Sequence, residues 1–127
     1  MVKFRILFTL ILTIPSFSAL ASQPETLDPT YANIAVGLLS AVIDNIPVMF
    51  AVLTMQPDMA LGQWLLVTLT AGIGGSLLSI GSAAGVALMG HARGSYTFAG
   101  HLRWSPVIFL GYVAGITCHL WLNQDFF

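Results

Sequence analysis

Residues 40 to 50 read SAVIDNIPVMF and place an aspartate, an asparagine and a proline inside an apolar run of membrane-spanning length, residues 31–55. Pro47 has no amide hydrogen and disfavours helical backbone in the residue before it, so it predicts a break in the helix here. Asp44 and Asn45 lie beside that break. A charged aspartate at mid-membrane costs about 2.5 to 3.5 kcal/mol on insertion scales, so it normally faces a cavity, a partner or an ion. The stretch therefore predicts a helix break that presents polar oxygens.

The composition indicates whether the chain folds in water or in a membrane. Of the 127 residues, 57% are hydrophobic and 7% are charged, and the mean hydropathy is +0.87, whereas a soluble domain has about 25% charged residues. This predicts an all-α membrane protein, because helices satisfy their own backbone hydrogen bonds in lipid. The formal net charge is -1 and the basic residues form no run, so nucleic acid is not an expected partner.

The first 21 residues have the features of a targeting segment. Lys3 and Arg5 form a basic start, an apolar core follows, and residues 19–21, Ala-Leu-Ala, fit a small-residue cleavage site. This segment is predicted to be a signal peptide, with an uncleaved N-terminal anchor helix as the alternative. Residues 22–30, SQPETLDPT, are predicted to be an external linker, because prolines and acidic residues concentrate there.

The charge of the connectors favours a re-entrant helical hairpin over residues 31–55. A full crossing by this segment would put Arg93 and Arg103 on the external side, against the positive-inside rule. If the chain instead turns back at Asp44 and Asn45, each arm of about 12 residues reaches about 18 Å, which is mid-bilayer. The arginine connector then lies in the cytoplasm. A hairpin tip at that depth needs protein or water around it, which predicts partner helices.

A second apolar segment, residues 64–90, is predicted to be a discontinuous transmembrane helix. Its middle, AGIGGSLLSIGSAAG at residues 71–85, consists mainly of Gly, Ala and Ser, and each glycine weakens a helix by about 1 kcal/mol relative to alanine. We expect the break near Ser79 to Ser82, with the serine hydroxyls on one side of the segment. A tight helix-packing face of small residues is the alternative.

The remaining residues complete the pattern of spans. Residues 91–105 form a polar connector, in which His91 and His101 are expected to lie in a solvated loop. Pro106 suits the first turn of a helix. Residues 106–123 are apolar and nearly long enough to cross without tilt, so they are predicted to be the final transmembrane helix.

Three stretches together resemble the C-terminal end of NhaD-type sodium/proton antiporters, in the ion transporter superfamily. They are GLLSAVIDNIPVMFAVLTM at 37–55, GIGGSLLSIGSAAGVALMG at 72–90 and GHLRWSPVIFLGYVAGI at 100–116. The IDNIP and SIGSAAG blocks are the most specific, and the resemblance covers residues 37–122. It implies one partial transporter repeat over residues 31–127, made of a re-entrant hairpin, a discontinuous helix and a closing span. It also implies sodium/proton antiport, a multi-pass location in the bacterial inner membrane, and no cofactor besides the transported sodium or lithium and protons.

The resemblance assigns the exchange of a proton for sodium to Asp44. The other implied ion-binding groups are Asn45, Ser40, Ser79 and Ser82. Sodium is a hard cation that prefers oxygen ligands, and all of these groups except Ser40 are implied as direct sodium ligands. Ser40 lies four residues before Asp44 on the same helical face. Its hydroxyl either joins the site or bonds back to its own helix. The predicted helix-breaking residues are Pro47 and Gly81.

The chain departs from the family in size, because members have many more spans than the segments found here. The leader runs almost directly into the second-repeat hairpin, so the site would have only one of its two sides. The expected partners are the lipid bilayer and either the missing transporter helices or another copy of the chain. A truncated or accessory membrane fragment without transport of its own is the alternative.

An intramembrane protease is the least favoured class. Ser82 and His119 offer a serine and a histidine, but the GxSG context expected of rhomboid serines is absent, and His119 is expected to be a packing or interfacial residue. Asp44 has neither a GxGD block nor a second buried aspartate with which to form an aspartyl dyad. The sequence therefore predicts a transporter and not an enzyme.

Overall fold

The computed structural model describes residues 28–127, and all regular structure in that range is helical. The predicted signal peptide or anchor at 1–21 lies outside the described residues, as does most of the linker at 22–30. The helices of the described range are α1 Pro29–Leu39, α2 Asn45–Met55, α3 Leu61–Gly74, α4 Ala83–His91, α5 Phe98–Leu102 and α6 Ser105–Leu122, and a 3-10 turn at Gln124–Phe126 follows. This part of the chain therefore agrees with the all-α prediction.

The segment predicted as a hairpin consists of two helices, α1 and α2, of 11 residues each, with non-helical backbone at residues 40–44 between them. Asp28 caps α1, because its carboxylate accepts a hydrogen bond from the Thr30 amide at 2.8 Å. The hydrogen bonds from Thr30 hold the pKa of Asp28 below its ordinary value of 3.8. Each helix is about 16 Å long at 1.5 Å per residue, roughly half of a hydrocarbon core of about 30 Å.

The second predicted segment is also interrupted. Helix α3 ends at Gly74 and α4 begins at Ala83, so residues 75–82 are non-helical and include the expected break near Ser79 to Ser82. The two halves differ in packing. Half of the residues of α3 are buried, whereas none of α4 is buried by the described part of the chain.

Helix α3 packs most extensively on α1, at very short range. A Cβ atom at Gly74 would overlap the carbonyl oxygen of Gly37, so only glycine fits this crossing. Polar bonds join the same two helices: Thr70 Oγ1 donates to the Asn33 carbonyl at 2.8 Å, and Asn33 Nδ2 donates to Gln63 Oε1 at 2.7 Å. Small residues and interhelical hydrogen bonds are typical of helix packing inside membranes.

Two apolar clusters join α3 to its neighbouring helices. The first contains Val36 of α1, Val48 and Val52 of α2, and Val67 of α3, so both arms of the first segment pack at one place on α3. The second joins α3 to α6 through Leu66 and two residues of α6, Tyr112 and Ile116. Together they make α3 the central helix of the described range.

Helix α6 corresponds to the predicted last span at 106–123. It is 18 residues long and is the one helix of residues 28–127 that is long and apolar enough to cross a membrane. The connector before it contains the short helix α5, which the sequence did not predict. Thr97 starts α5, because its hydroxyl accepts a hydrogen bond from the Gly100 amide at 3.1 Å.

Candidate ion-binding site

The interruption at residues 40–44 lies against the interruption at residues 75–82. The backbone amide of Asn45 donates a hydrogen bond to the carbonyl oxygen of Gly81, at 3.3 Å. Gly81 is buried, and a Cβ atom there would lie 2.6 Å from the carbonyl oxygens of both Ser40 and Ala41. Glycine is therefore required at position 81 because the two backbones touch, which adds a packing reason to the helix-breaking role that the sequence predicted for it.

Asp44 lies at the N-terminus of α2, where its backbone carbonyl starts the helix. One carboxylate oxygen faces the Ile46 amide at 3.4 Å, a long capping contact. The partial positive charge of the helix N-terminus favours a negative group at this position. The side chain is half-buried, so the carboxylate stands at the edge of the described fold with oxygen lone pairs left for another ligand.

Pro47 lies in the first turn of α2 rather than at the end of α1. Amides of a first helical turn have no intrahelical acceptor, so a residue without an N–H is tolerated there. The break accordingly precedes Pro47, and Asp44 and Asn45 sit at its end. The helix break predicted at Pro47 therefore lies just before it, and Pro47 belongs to the first turn of the second arm.

Ser40 is fully buried between α1 and α3. Its hydroxyl lies 2.7 Å from the Gly37 carbonyl of its own helix and 2.9 Å from the Ala71 carbonyl of α3. Both neighbours are acceptors, and the hydroxyl has a single proton to share between them. This is the back-bonded arrangement that the sequence left open beside ligation.

Ser79 and Ser82 lie in the second interruption but have different partners. The Ser79 hydroxyl is buried and lies 3.4 Å from the sulfur of Met89. Ser82 caps α4, because its hydroxyl accepts a hydrogen bond from the Gly85 amide at 3.1 Å. A hydroxyl oxygen has two lone pairs, so each retains capacity toward a cation. The interruption thus places both serines in the segment that Gly81 joins to Asn45.

Two residues for which the sequence predicted no such contact bind the second interruption. His101, expected in a solvated loop, has Nε2 at 2.9 Å from the Ser76 carbonyl. Ser105, which the sequence did not single out, donates from its hydroxyl to the Leu77 carbonyl at 2.6 Å. The acceptors are backbone oxygens, which carry no residue identity, so no sequence signal could have paired them.

The serine and histidine of a protease dyad have other partners. His119 Nε2 faces the Gly62 carbonyl at 3.0 Å, and its Nδ1 faces Asn123 Nδ2 at 3.0 Å. Both ring nitrogens are therefore engaged, while the Ser82 hydroxyl caps α4. Among the described residues there is also no group of three or more His, Cys, Asp or Glu side chains that could hold a metal ion. The oxygen-rich junction of the two interruptions is thus the best candidate site.

The fold and the site together define a class: a helical membrane protein whose polar groups gather where two helices are interrupted, as in transporters built from discontinuous helices. The chain is 74% identical over 103 residues to the Na(+)/H(+) antiporter NhaD of Alkalimonas amylolytica, a match to 81% of this chain and 21% of the relative. Over 112 residues it is 67% identical to NhaD of Halomonas elongata, with 85% and 23% covered. It is also 42% identical over 90 residues to sodium/proton antiporter 1 of Arabidopsis thaliana, with 68% and 16% covered.

By sequence, the chain belongs to the NhaD-type sodium/proton antiporter family, as its motifs predicted, and it matches the C-terminal part of these relatives. The chain spans about a fifth of the length of the NhaD relatives it matches. The relatives are named as antiporters, which are transporters and not enzymes, and the ions they move are substrates rather than cofactors. No family model matches the chain, and no solved structure matches it.

Proposed function

We propose that this chain supplies one side of a sodium/proton antiport site, in which Asp44 exchanges a proton for sodium. The observation that carries the proposal is the hydrogen bond from the Asn45 amide to the Gly81 carbonyl, at 3.3 Å. It holds Asn45, the residue after Asp44, against the second interruption, which contains Ser79 and Ser82. The names of the relatives, bacterial and plant sodium/proton antiporters, support the same function.

The chemistry of these groups suits sodium. A hard monovalent cation is held by carboxylate, amide, hydroxyl and backbone carbonyl oxygens. The proposed ligands are Asp44, Asn45, Ser79 and Ser82, while Ser40 fixes the α1–α3 contact beneath them. A proton on the Asp44 carboxylate removes the negative charge that attracts sodium, and bound sodium disfavours the proton. That mutual exclusion is the basis of exchange in opposite directions.

We propose further that α1 and α2 form a re-entrant hairpin. Val36 and Val52 belong to one apolar cluster, although about 24 Å would separate them along a continuous helix. The short arms and the positive-inside rule for Arg93 and Arg103 support the same topology. In this arrangement α3 and α4 cross as a broken helix, α6 crosses as the last span, and the protein is a multi-pass component of the bacterial inner membrane.

The other side of the site would come from outside the described fold. Transporter sites of this kind lie near the bilayer midplane, where two repeats meet. A groove of about 320 Å³ runs along α2 from Asn45 to Leu53, and Asn45, one of the proposed ligands, lines it. The relatives are about five times as long as the matched region, so we propose that further transporter helices, or a second copy of this chain, cover this side.

Sodium-dependent proton release from inside-out membrane vesicles tests the proposal. The chain would be expressed alone and together with the preceding part of the Halomonas elongata relative. We expect release in the combined sample, its loss in Asp44→Asn, and its retention in Asp58→Asn, which removes one exposed carboxylate from the turn between α2 and α3.

Each outcome decides between the candidates. Equal release from the parent chain and Asp44→Asn would overturn the role of Asp44. Release by the chain alone would overturn the proposal that its site is incomplete, but not the proposal that it takes part in antiport. If no sample releases protons although the chain is inserted, the accessory-fragment alternative is supported instead.

A further inference from the structure

The connector between α4 and α6 holds the second interruption through His101. Its Nε2 atom lies 2.9 Å from the Ser76 carbonyl oxygen, and its Nδ1 atom lies 2.7 Å from the Tyr96 hydroxyl. A carbonyl can only accept, so Nε2 carries the proton. In the neutral ring Nδ1 is then an acceptor, and the Tyr96 hydroxyl donates to it. The Ser76 carbonyl therefore selects the tautomer, and the Tyr96 hydroxyl satisfies the other ring nitrogen.

A second bond, from Ser105 at the junction of this connector with α6, reaches the next residue. The Ser105 hydroxyl donates to the Leu77 carbonyl at 2.6 Å, four residues along the chain from His101. Backbone carbonyls in a non-helical segment lack the regular partners of a helix and need others when water is excluded. Two successive carbonyls at the start of the interruption are thus satisfied by side chains of the connector.

The interruption is consequently held at both ends. Ser76 and Leu77 bind the connector, while Gly81, near the other end, accepts from the Asn45 amide. Short turns, from the Ser76 amide to the Ile73 carbonyl and from the Gly81 amide to the Leu78 carbonyl, make the segment compact. A displacement at Ser76 therefore reaches Gly81 through only a few residues of turn.

We propose that His101 is a positioning residue for ion exchange: it holds residues 75–82, which include Ser79 and Ser82, in the place where Gly81 meets Asn45. The effect of His101 on transport rests on the proposed function, whereas its effect on the position of residues 75–82 depends only on contacts among the described residues. The bond to Ser76 survives protonation of the ring, because Nε2 donates in the neutral and in the charged form. When the ring is protonated, only the Tyr96 hydroxyl changes its role, from donor to acceptor in its bond with Nδ1.

Hydrogen exchange of the Asn45 amide, measured by NMR on the full chain in micelles, tests the positioning without requiring transport. The His101→Ala variant should exchange this amide about two- to tenfold faster, the range expected when one supporting hydrogen bond is lost. The His101→Gln variant should restore slow exchange, because its side-chain amide can donate to the Ser76 carbonyl. His91→Ala is the matched control, since this histidine is exposed at the end of α4.

Amides of α1 and α3 in the same spectra report whether a variant is folded. Unchanged exchange of the Asn45 amide in a folded His101→Ala protein would overturn the proposal, as would failure of His101→Gln to restore it. If His101→Ala disturbs the whole fold, Tyr96→Phe keeps the imidazole and removes only the hydroxyl. It should then accelerate exchange at Asn45 by a smaller factor, and parent-like exchange would again overturn the proposal.

A sodium chloride titration of the chain combined with the preceding part of the Halomonas elongata relative, which would complete the site, separates the two hypotheses. Shifts of the amide signals of residues 44–45 and 79–82 with sodium, weakened in His101→Ala and recovered in His101→Gln, support both. An effect of His101 on the Asn45 amide without any sodium response leaves the positioning intact and removes its link to ion binding.

Discussion

Replacement of Gly81 by alanine tests the contact between the two interruptions directly. Ordinary contacts of a Cβ atom begin at 3.4 Å, whereas one added here would lie 2.6 Å from the carbonyl oxygens of Ser40 and Ala41, so it is 0.8 Å too close to each. Both obstructing atoms are backbone, in a segment whose first residue, Ser40, is fixed between α1 and α3. A side-chain rotation cannot relieve the overlap, so one of the two interruptions has to move.

The magnitude follows from the two interactions that this movement disturbs. Overpacking of a tight interior costs about 1 to 3 kcal/mol. The hydrogen bond from Asn45 to Gly81 is already 3.3 Å long, so a displacement of several tenths of an ångström breaks it, at about 0.5 to 1.5 kcal/mol. Gly81→Ala should therefore destabilise the chain by about 1.5 to 4.5 kcal/mol.

Reversible unfolding in mixed detergent micelles, followed by circular dichroism, measures this loss. The matched control is Gly72→Ala, in the exposed face of α3, where an added Cβ meets nothing within 4 Å. That change should be neutral or should stabilise by up to about 1 kcal/mol, because alanine is the better helix former. If Gly81→Ala unfolds at the same detergent concentration as Gly72→Ala, the close contact of the two interruptions is refuted.

Three further predictions concern other parts of the fold. Tyr112→Phe should destabilise the chain by about 1 kcal/mol in the same unfolding assay, because its buried hydroxyl donates to the Ile34 carbonyl at 2.8 Å; unchanged stability would remove this link between α6 and α1. Met89→Leu should free the Ser79 hydroxyl from its sulfur partner at 3.4 Å and shift the Ser79 amide signal in an NMR spectrum. The control Leu88→Met, at the neighbouring exposed position, should leave that signal unshifted. Asp28 should titrate below 3.8 when its carboxyl carbon is followed by NMR, since Thr30 stabilises the charged form. Its depressed pKa means that the cap stabilises α1 at neutral pH and loses this effect as the pH falls through the folded-state pKa; titration at or above 3.8 would contradict it.

The positions of the helix interruptions could be predicted from sequence because the residues that cause them act locally. Asp44 and Pro47 in one run, and the glycine-rich stretch around Gly81 in the other, disfavour a continuous helix whatever surrounds them. The structure places non-helical backbone at both. The location of Pro47 within α2 differs from expectation in detail, since a proline is accommodated in the first turn that it helps to start.

The contacts that assemble the candidate site could not be predicted in the same way. The bond between Asn45 and Gly81 joins backbone atoms of residues far apart in the chain, and any residue other than proline could donate from position 45. The partners of His101 and Ser105 are likewise carbonyl oxygens. The role of the connector therefore depends on its three-dimensional path, which the positions of its histidines in the sequence do not reveal.

The unequal packing of α3 and α4 has a mechanical consequence for the serines between them. Ser79 is buried and its hydroxyl lies 3.4 Å from the Met89 sulfur of α4, while the half-buried Ser82 begins α4, none of whose residues is buried by the described part of the chain. Thermal displacements are largest where few buried contacts oppose them. Both serines are bonded to α4, the helix that the described fold holds least, so we expect the distance from their hydroxyls to Asp44 to vary more than the spacing between the two hydroxyls.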